Sequence, residues 1–217
     1  LFRVLDEHDP VCVLIAFDCR LWSLLNNLCP GGDWEHLRKT IGLKTLRLVK
    51  RICEHQWKRG RYFVVENPAT SVAWRYHRIL TQILEKFDGK YVICDQCRYG
   101  QRDSESGKLI RKPTGWLSNS EPILNHVGKR CQCPPGEHQQ VLGSNAKGLR
   151  SRQAACYPPA LCRAICKGLL QTMELDYAGL SAQGDLAYAN LSESDAEGEN
   201  MEGEEPMDGD YWIIEGN

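Results

Sequence analysis

The 217-residue sequence lacks several features that would place it in a familiar class. No apolar run approaches the ~20 residues that a membrane-spanning helix needs, so we expect no contact with a membrane. The first ten residues, LFRVLDEHDP, do not have the pattern of a secretory signal peptide. No internal repeat is evident, which excludes a solenoid or propeller. Basic residues are absent after Lys167.

That absence divides the chain into two parts of opposite charge. All 27 Lys and Arg lie at or before Lys167, together with 15 acids, so this part has a formal charge of +12. The remainder carries 13 acids. A basic domain indicates an anionic partner such as nucleic acid, and we expect DNA in preference to RNA. A solvated basic surface with no such partner is the alternative.

Cysteine is abundant, with 11 residues. An odd count without a secretory signal argues against a disulfide framework. We therefore expect reduced thiols, some of them catalytic or metal-bound, in a reducing intracellular compartment, either nucleus or cytoplasm.

Hydrophobic periodicity predicts an α/β domain with a mostly parallel sheet. Apolar runs predict strands and helical spacing predicts helices in alternation. The predicted elements are a strand at 11–17, a helix at 34–58, a strand at 61–65, a helix at 71–87, a strand beginning at 90, a fourth strand in TGWLSN and a helix at 158–173.

Composition predicts three segments along the chain. Residues 1–173 form the α/β domain, and 174–210, rich in acids, Gly and Ser, form a disordered linker. Residues 211–217, YWIIEGN, begin a further segment.

Reactive side chains follow two of the predicted strands. Asp18-Cys19-Arg20 comes after the first strand, and Glu66-Asn67-Pro68 comes after the second. Ligands of open α/β sheets bind at the carboxyl ends of strands, so we expect a thiol and a carboxylate in one crevice. Two other interpretations remain: Cys19 as a small core residue, and Asn67-Pro68 as the start of a helix.

These residues resemble a known family. AFDCRLWS resembles the Pro-Pro-Cys loop of cytosine-5 DNA methyltransferases, and YFVVENP resembles their Glu-Asn-Val motif. DQCRYGQRDSESGKLIRKPTGWLSN resembles a later block of the family, so the similarity covers roughly 11–119.

The resemblance implies a fold and a reaction. The fold would be a partial doubly wound sheet, and the cofactor would be S-adenosylmethionine. Cys19 would attack carbon 6 of a flipped cytosine while Glu66 holds the ring nitrogen and amino group. The residues implied in substrate binding are Arg20, Asn67, Pro68, Arg111, Lys112 and Thr114.

Two departures from the family pattern bear on activity. Asp18 stands where the family has proline, and an acid beside a thiol opposes thiolate formation. No Gly-rich loop for a methyl donor is present before residue 11. We therefore expect the donor-binding half to be missing, and the fragment by itself to be either inactive or incomplete.

A second resemblance covers most of the chain. Continued through KRCQC and AACYPPALCRAICKGL, the sequence is similar to a module of retroelement-type polyproteins. It implies partners among the other domains of such a polyprotein.

Paired cysteines form a second candidate site. Cys94-x-x-Cys97, Cys131-x-Cys133 and His138 are thiol and imidazole ligands of the kinds that zinc prefers. The alternatives are coincidence in a cysteine-rich chain, and a core position for Cys94. The second function that the sequence predicts is thus a zinc-stabilised interaction module within a retrotransposon polyprotein, and a relic without preserved activity is the remaining alternative.

Overall fold

The computed structural model describes residues 1–24, 26, 32–141, 143–145 and 147–194. The chain divides into two compact units, Leu1–Leu175 and Asp176–Asn217. The helices are α1 Phe2–His8, α2 Trp34–Leu37, α3 Leu43–Lys58, α4 Ile79–Lys86, α5 Glu121–Val127, α6 Arg150–Gln153 and α7 Pro159–Ser194. The strands are β1 Cys12–Ala16, β2 Tyr62–Pro68, β3 Lys90–Asp95, β4 Pro113–Ser118, β5 Ser144–Asn145 and β6 Gly148–Leu149.

The first four strands form a mixed sheet in the order β1-β2-β4-β3. β1 pairs with β2 in parallel, whereas β4 is antiparallel to both β2 and β3. Because β3 is antiparallel to β4, it runs in the same direction as β1 and β2. The expectation of an α/β domain is confirmed. The sheet is mixed and not mostly parallel, because β4 lies between β2 and β3 and pairs with both in the antiparallel direction.

Two hydrophobic cores cover the two faces of this sheet. On one face, Phe63 and Val65 of β2 pack with residues of α3 and α4. On the other face, Val64 of β2 and Trp116 of β4 pack with α5 and the first turns of α7. The alternation of side chains along β2 therefore assigns neighbouring residues to different cores.

The predicted helix at 34–58 forms as one continuous run. Asp33 caps its first turn by accepting a hydrogen bond from the backbone N–H of His36, 2.9 Å away. A π-helical turn, Arg38–Gly42, lies between α2 and α3. At Gly42 a Cβ would lie 2.7 Å from the Trp22 ring, so the buried indole requires glycine there.

The predicted helix at 71–87 is only half formed. Two 3-10 turns, Val72–Trp74 and Tyr76–Arg78, precede α4. His77 and Arg78 have φ of 48° and 53°, a left-handed conformation that no α-helix continues through. The correct helix is therefore the short α4, and the preceding residues form a loop.

The linker predicted from 174 onward overlaps the last helix of the described residues. The helix that begins at Pro159 continues to Ser194, well beyond the predicted end at 173. The remainder of the predicted linker and the segment 211–217 lie outside the described residues. No helix within the described ranges has the length and apolar character needed to cross a membrane.

Candidate metal centre and the carboxyl edge of the sheet

One edge of the sheet collects most of the residues that the sequence singled out. β1, β2 and β3 end at this edge, and β4 begins there, because β4 alone runs in the opposite direction. The segments that meet at it are Asp18–Arg20, Glu66–Pro68, Asp95–Cys97 and Arg111–Thr114.

A Cys3His cluster lies beside the end of β3. Donor atoms of Cys97, Cys131, Cys133 and His138 all lie within 4.8 Å of one another. Four of the five residues predicted as metal ligands are thus brought together, although 33 residues separate Cys97 from the next of them.

Backbone contacts explain how these distant residues meet. Cys97 lies in the 3-10 turn Gln96–Tyr99, which Gly100 closes with φ of 81° and a hydrogen bond to the Cys97 carbonyl. The backbone N–H of Asp95 donates to the carbonyl of Lys129 over 2.9 Å, which ties the loop after α5 to the end of β3. His138 lies beside Leu109 in an isolated β-bridge, so it is held from the other side.

The four donors fit tetrahedral zinc. Zinc–sulfur bonds of about 2.3 Å and zinc–nitrogen bonds of about 2.0–2.1 Å separate a thiolate from an imidazole by about 3.6 Å in a tetrahedron. The Cys131 Sγ and the His138 Nε2 are 3.5 Å apart. A set of three thiols and one imidazole is typical of a closed structural zinc site, with no position open for a substrate.

Asp95 links this cluster to two arginines. Its carboxylate is fully buried and accepts a hydrogen bond from the backbone N–H of Cys131, 2.8 Å away. Its two oxygens also contact the Nε of Arg111 at 3.2 Å and of Arg130 at 3.1 Å. The two arginine side chains remain about half exposed, at 49% and 51%.

Local contacts shift the pKa values of Cys131 and Cys97 in opposite directions. The backbone N–H of Cys133 donates to the Cys131 sulfur and lowers the pKa of that thiol, and Arg111 acts in the same direction. Burial, and then the neighbouring Cys131 thiol, raise the pKa of Cys97 to about 12. In the free protein Cys131 therefore ionises before Cys97, and a bound cation would favour ionisation of Cys97.

Cys94 is not part of the cluster. Its side chain is buried in the core beneath α5 and α7, where the sulfur accepts a hydrogen bond from the Trp116 indole over 3.1 Å. Burial raises its pKa to about 11. The Cys-x-x-Cys spacing was misleading, because Cys94 is still within β3 and points into the sheet's core, whereas Cys97 follows the strand.

Glu66 lies within β2, not after it, and its side chain is buried. Burial raises its pKa, while a hydrogen bond from the Tyr157 hydroxyl and the nearby Lys112 ammonium partly oppose that effect. Lys112 is itself held by donating to the Ala154 carbonyl over 3.0 Å. The balance of these effects shifts this carboxyl group at the sheet's edge toward its neutral form, relative to a glutamate in water.

Cys19 lies beyond the end of β1, and its side chain is exposed. A core role for it is therefore wrong. The Arg20 guanidinium pairs with a neighbouring carboxylate: its Nε donates to Asp18 over 2.8 Å. That pairing lowers the pKa of Asp18.

The amide of Asn67 fastens β2 to the end of β1. Its Nδ2 donates to the Phe17 carbonyl over 2.9 Å. The interpretation of Asn67 as a helix cap is wrong, because Ser71 caps the next turn instead. Asn67 Oδ1 is buried and has no hydrogen-bond partner among the residues that the structure describes.

The last two predicted binding residues are structural parts of the edge. Pro68 pairs with Thr114 across β2 and β4, and its carbonyl accepts from the Trp74 indole over 2.9 Å. Thr114 is fully buried and accepts from the Gln96 side chain over 2.9 Å.

Sequence reasoning missed three residues of this edge. Asp95 and Arg130 lie next to predicted ligands, and Asp95 is the last residue of β3 at the same edge as Glu66, so the rule of the strands' carboxyl ends could have found it. Tyr157 offered no signal, because nothing in its local sequence predicts a contact with β2.

Comparisons with family models, with curated proteins and with solved structures find nothing that matches this chain.

Proposed function

We propose that this domain binds nucleic acid at the carboxyl edge of its sheet and that a zinc ion holds the binding surface in place. The observation behind the proposal is the contact of Asp95 with Arg111, with Arg130 and with the backbone of Cys131. One buried carboxylate thereby positions two arginines and one metal ligand together.

The charge of the surface supports an anionic partner. Residues up to Lys167 carry a formal +12, and both arginine side chains are half exposed while their inner edges contact Asp95. A guanidinium group held in this way can donate its outer N–H groups to a phosphate without losing its inner partner. We call Arg111 and Arg130 the arginine rim.

Binding of fluorescent DNA across a salt series tests this function. Each phosphate contact contributes about 0.7–0.9 to the slope of log affinity against log salt. Arg111→Ala and Arg130→Ala should each remove about one phosphate contact, which reduces the magnitude of the slope by about 0.7–0.9. Arg47→Ala, which removes the same charge from the exposed face of α3, is the matched control.

The zinc requirement has its own readout. Purified protein should contain one zinc per chain. A chelator should weaken DNA binding and should reduce the salt slope of the wild type toward that of the Arg111→Ala and Arg130→Ala variants. Equal slopes for the rim variants, the control and the wild type would refute a nucleic-acid surface at this edge.

A second candidate function is cytosine-5 methylation, in which this sheet is part of a methyltransferase-like fold. The observation that favours it is the raised pKa of Glu66, since a neutral carboxyl group can donate a hydrogen bond to a ring nitrogen of cytosine. The Cys19 thiol lies after β1, which pairs with β2 so that Ala16 stands opposite Glu66. The Cys19 thiolate would add to carbon 6 and break the C5–C6 double bond as Glu66 donates its proton to the ring nitrogen. Carbon 5 would then take the methyl group from S-adenosylmethionine, and loss of the carbon-5 proton would restore the double bond and release Cys19.

DNA containing 5-fluorocytosine tests the second candidate. With S-adenosylmethionine present, the wild type should form a covalent adduct that Cys19→Ala does not form. Cys156→Ala, which removes another exposed thiol, is the control. DNA binding without any adduct would leave the first function in place and remove methylation.

A further inference from the structure

A cavity of about 700 Å³ opens on the face of the sheet that carries α3 and α4. Its size is within the range of pockets that bind small organic ligands. Its wall is mostly apolar and includes two aromatic rings, with an arginine and hydroxyl groups among the polar contributors. The residues that matter below are Trp74, Arg75, Leu80, Thr81, Leu84 and Tyr91.

The two aromatic rings are held in fixed positions. Trp74 donates its indole N–H to the Pro68 carbonyl over 2.9 Å, and its ring meets that of Tyr91 edge to face at 4.9 Å. Gly115 of β4 makes room for both rings, because a Cβ there would lie 2.8 Å from the Tyr91 ring and 2.9 Å from the Trp74 ring. The cavity therefore has a rigid aromatic wall.

The cavity adjoins the arginine rim. Tyr91 and Ile93 line it, and Asp95, which contacts both rim arginines, is the next residue of β3 on the same face of the sheet. Pro68, which positions Trp74, belongs to the carboxyl edge itself. A nucleic acid lying along the rim would pass the cavity's aromatic wall.

Arg75 gives the cavity a cationic group. Its side chain is exposed, and none of the ion pairs among the described residues involves it. An apolar, aromatic wall with one cation suits a flat ring that carries a phosphate, because the ring can stack and the phosphate can pair with the cation. A fatty acyl chain or an apolar peptide would offer no anionic group to Arg75.

We propose that this cavity binds one unpaired base of a single-stranded nucleic acid, with the adjoining phosphate on Arg75. The inference rests on the proposed nucleic-acid function, which it deepens: the rim binds the backbone, and the cavity binds a base. A base–aromatic contact of this kind strengthens binding by about 5-fold or more.

An octamer in which every position is abasic isolates the backbone contribution. A second octamer is identical except that its central position carries a 5-iodouracil base. The wild type should bind the second oligomer at least about 5-fold more tightly. Thr81→Trp, which fills the cavity, should bind the two oligomers equally, and its melting temperature shows whether it is folded. Trp57→Phe, at an indole on α3, is the control.

Photocrosslinking gives a readout that does not depend on a variant's folding. Irradiated wild-type complexes should yield peptides crosslinked at Trp74 or Tyr91. Equal affinity for both oligomers, or crosslinks only to residues outside the cavity, would overturn the base site while the rim remains. Failure to bind either oligomer would instead refute the proposed function.

Discussion

Replacing Asp95 with asparagine tests whether the arginine rim and the Cys3His cluster form one unit. The buried carboxylate accepts from the Cys131 N–H at 2.8 Å and contacts the Nε of Arg111 and Arg130 at 3.2 and 3.1 Å. Asparagine has nearly the same shape but offers one acceptor oxygen, and its amide N–H groups would face a guanidinium group.

The magnitude follows from these contacts. Removing one partner of a buried ion pair costs about 3–5 kcal/mol, and hydrogen bonds to charged groups contribute about 1.5–3 kcal/mol. Because both arginine side chains are half exposed, water can hydrate their guanidinium groups and so offset part of the lost stability. We expect the free energy of unfolding to fall by about 2–4 kcal/mol, which lowers the melting temperature by ~4–16 °C for a domain of this size. Zinc affinity should fall about 10- to 100-fold, as for other contacts that orient a ligand.

Urea unfolding followed by circular dichroism, with excess zinc and with chelator, measures both effects. Asp88→Asn is the matched control: Asp88 accepts from the Trp57 indole over 2.8 Å at an exposed site, and its φ of 53° suits asparagine. The control should lose less than about 1 kcal/mol. An Asp95→Asn protein within about 0.5 kcal/mol of the wild type, with unchanged zinc affinity, would refute the coupling.

Three more outcomes follow from single contacts. His138→Ala should lose bound zinc, measured by elemental analysis, while Cys94→Ala keeps it and loses only core stability. Gly115→Ala should destabilise the fold by about 1–3 kcal/mol in urea, because the new Cβ would meet the Tyr91 ring. Glu66→Gln should become more stable relative to the wild type as pH rises above 4.5: the raised pKa means that the wild type has its full stability at lower pH and loses it as Glu66 ionises. Parallel urea midpoints between pH 4 and 8 would contradict this last prediction.

The local elements could be predicted from sequence because their signals are local. Apolar runs located β1, β2 and β3, and helical spacing with Asp33 as cap located the helix at 34–58. The position of β4 could not be predicted, since a short strand carries no information about its neighbours. Only Gly115 hinted at a close approach, because glycine inside a strand often marks one.

The metal cluster was predictable by residue type and not by spacing. Cys131, Cys133 and His138 come together with Cys97 only because the Lys129 carbonyl binds the end of β3 and because Leu109 pairs beside His138. The first contact joins residues 34 positions apart (129 − 95) and the second joins residues 29 positions apart (138 − 109), so no local pattern contains them. Cys94 illustrates the converse, where a convincing spacing includes a residue that belongs to the core.

Two carboxylates at one edge of the sheet have different surroundings, and this difference separates their roles. Asp95 contacts two guanidinium groups and accepts a hydrogen bond from a backbone N–H. Glu66 is buried beside a phenol, and burial raises its pKa despite Lys112. Replacing Asp95 with an amide leaves cations uncompensated, whereas an amide at Glu66 replaces a carboxyl group whose ionisation burial opposes. Asp95 is therefore suited to holding the proposed phosphate-binding surface, and Glu66 to the proposed hydrogen bond to a base.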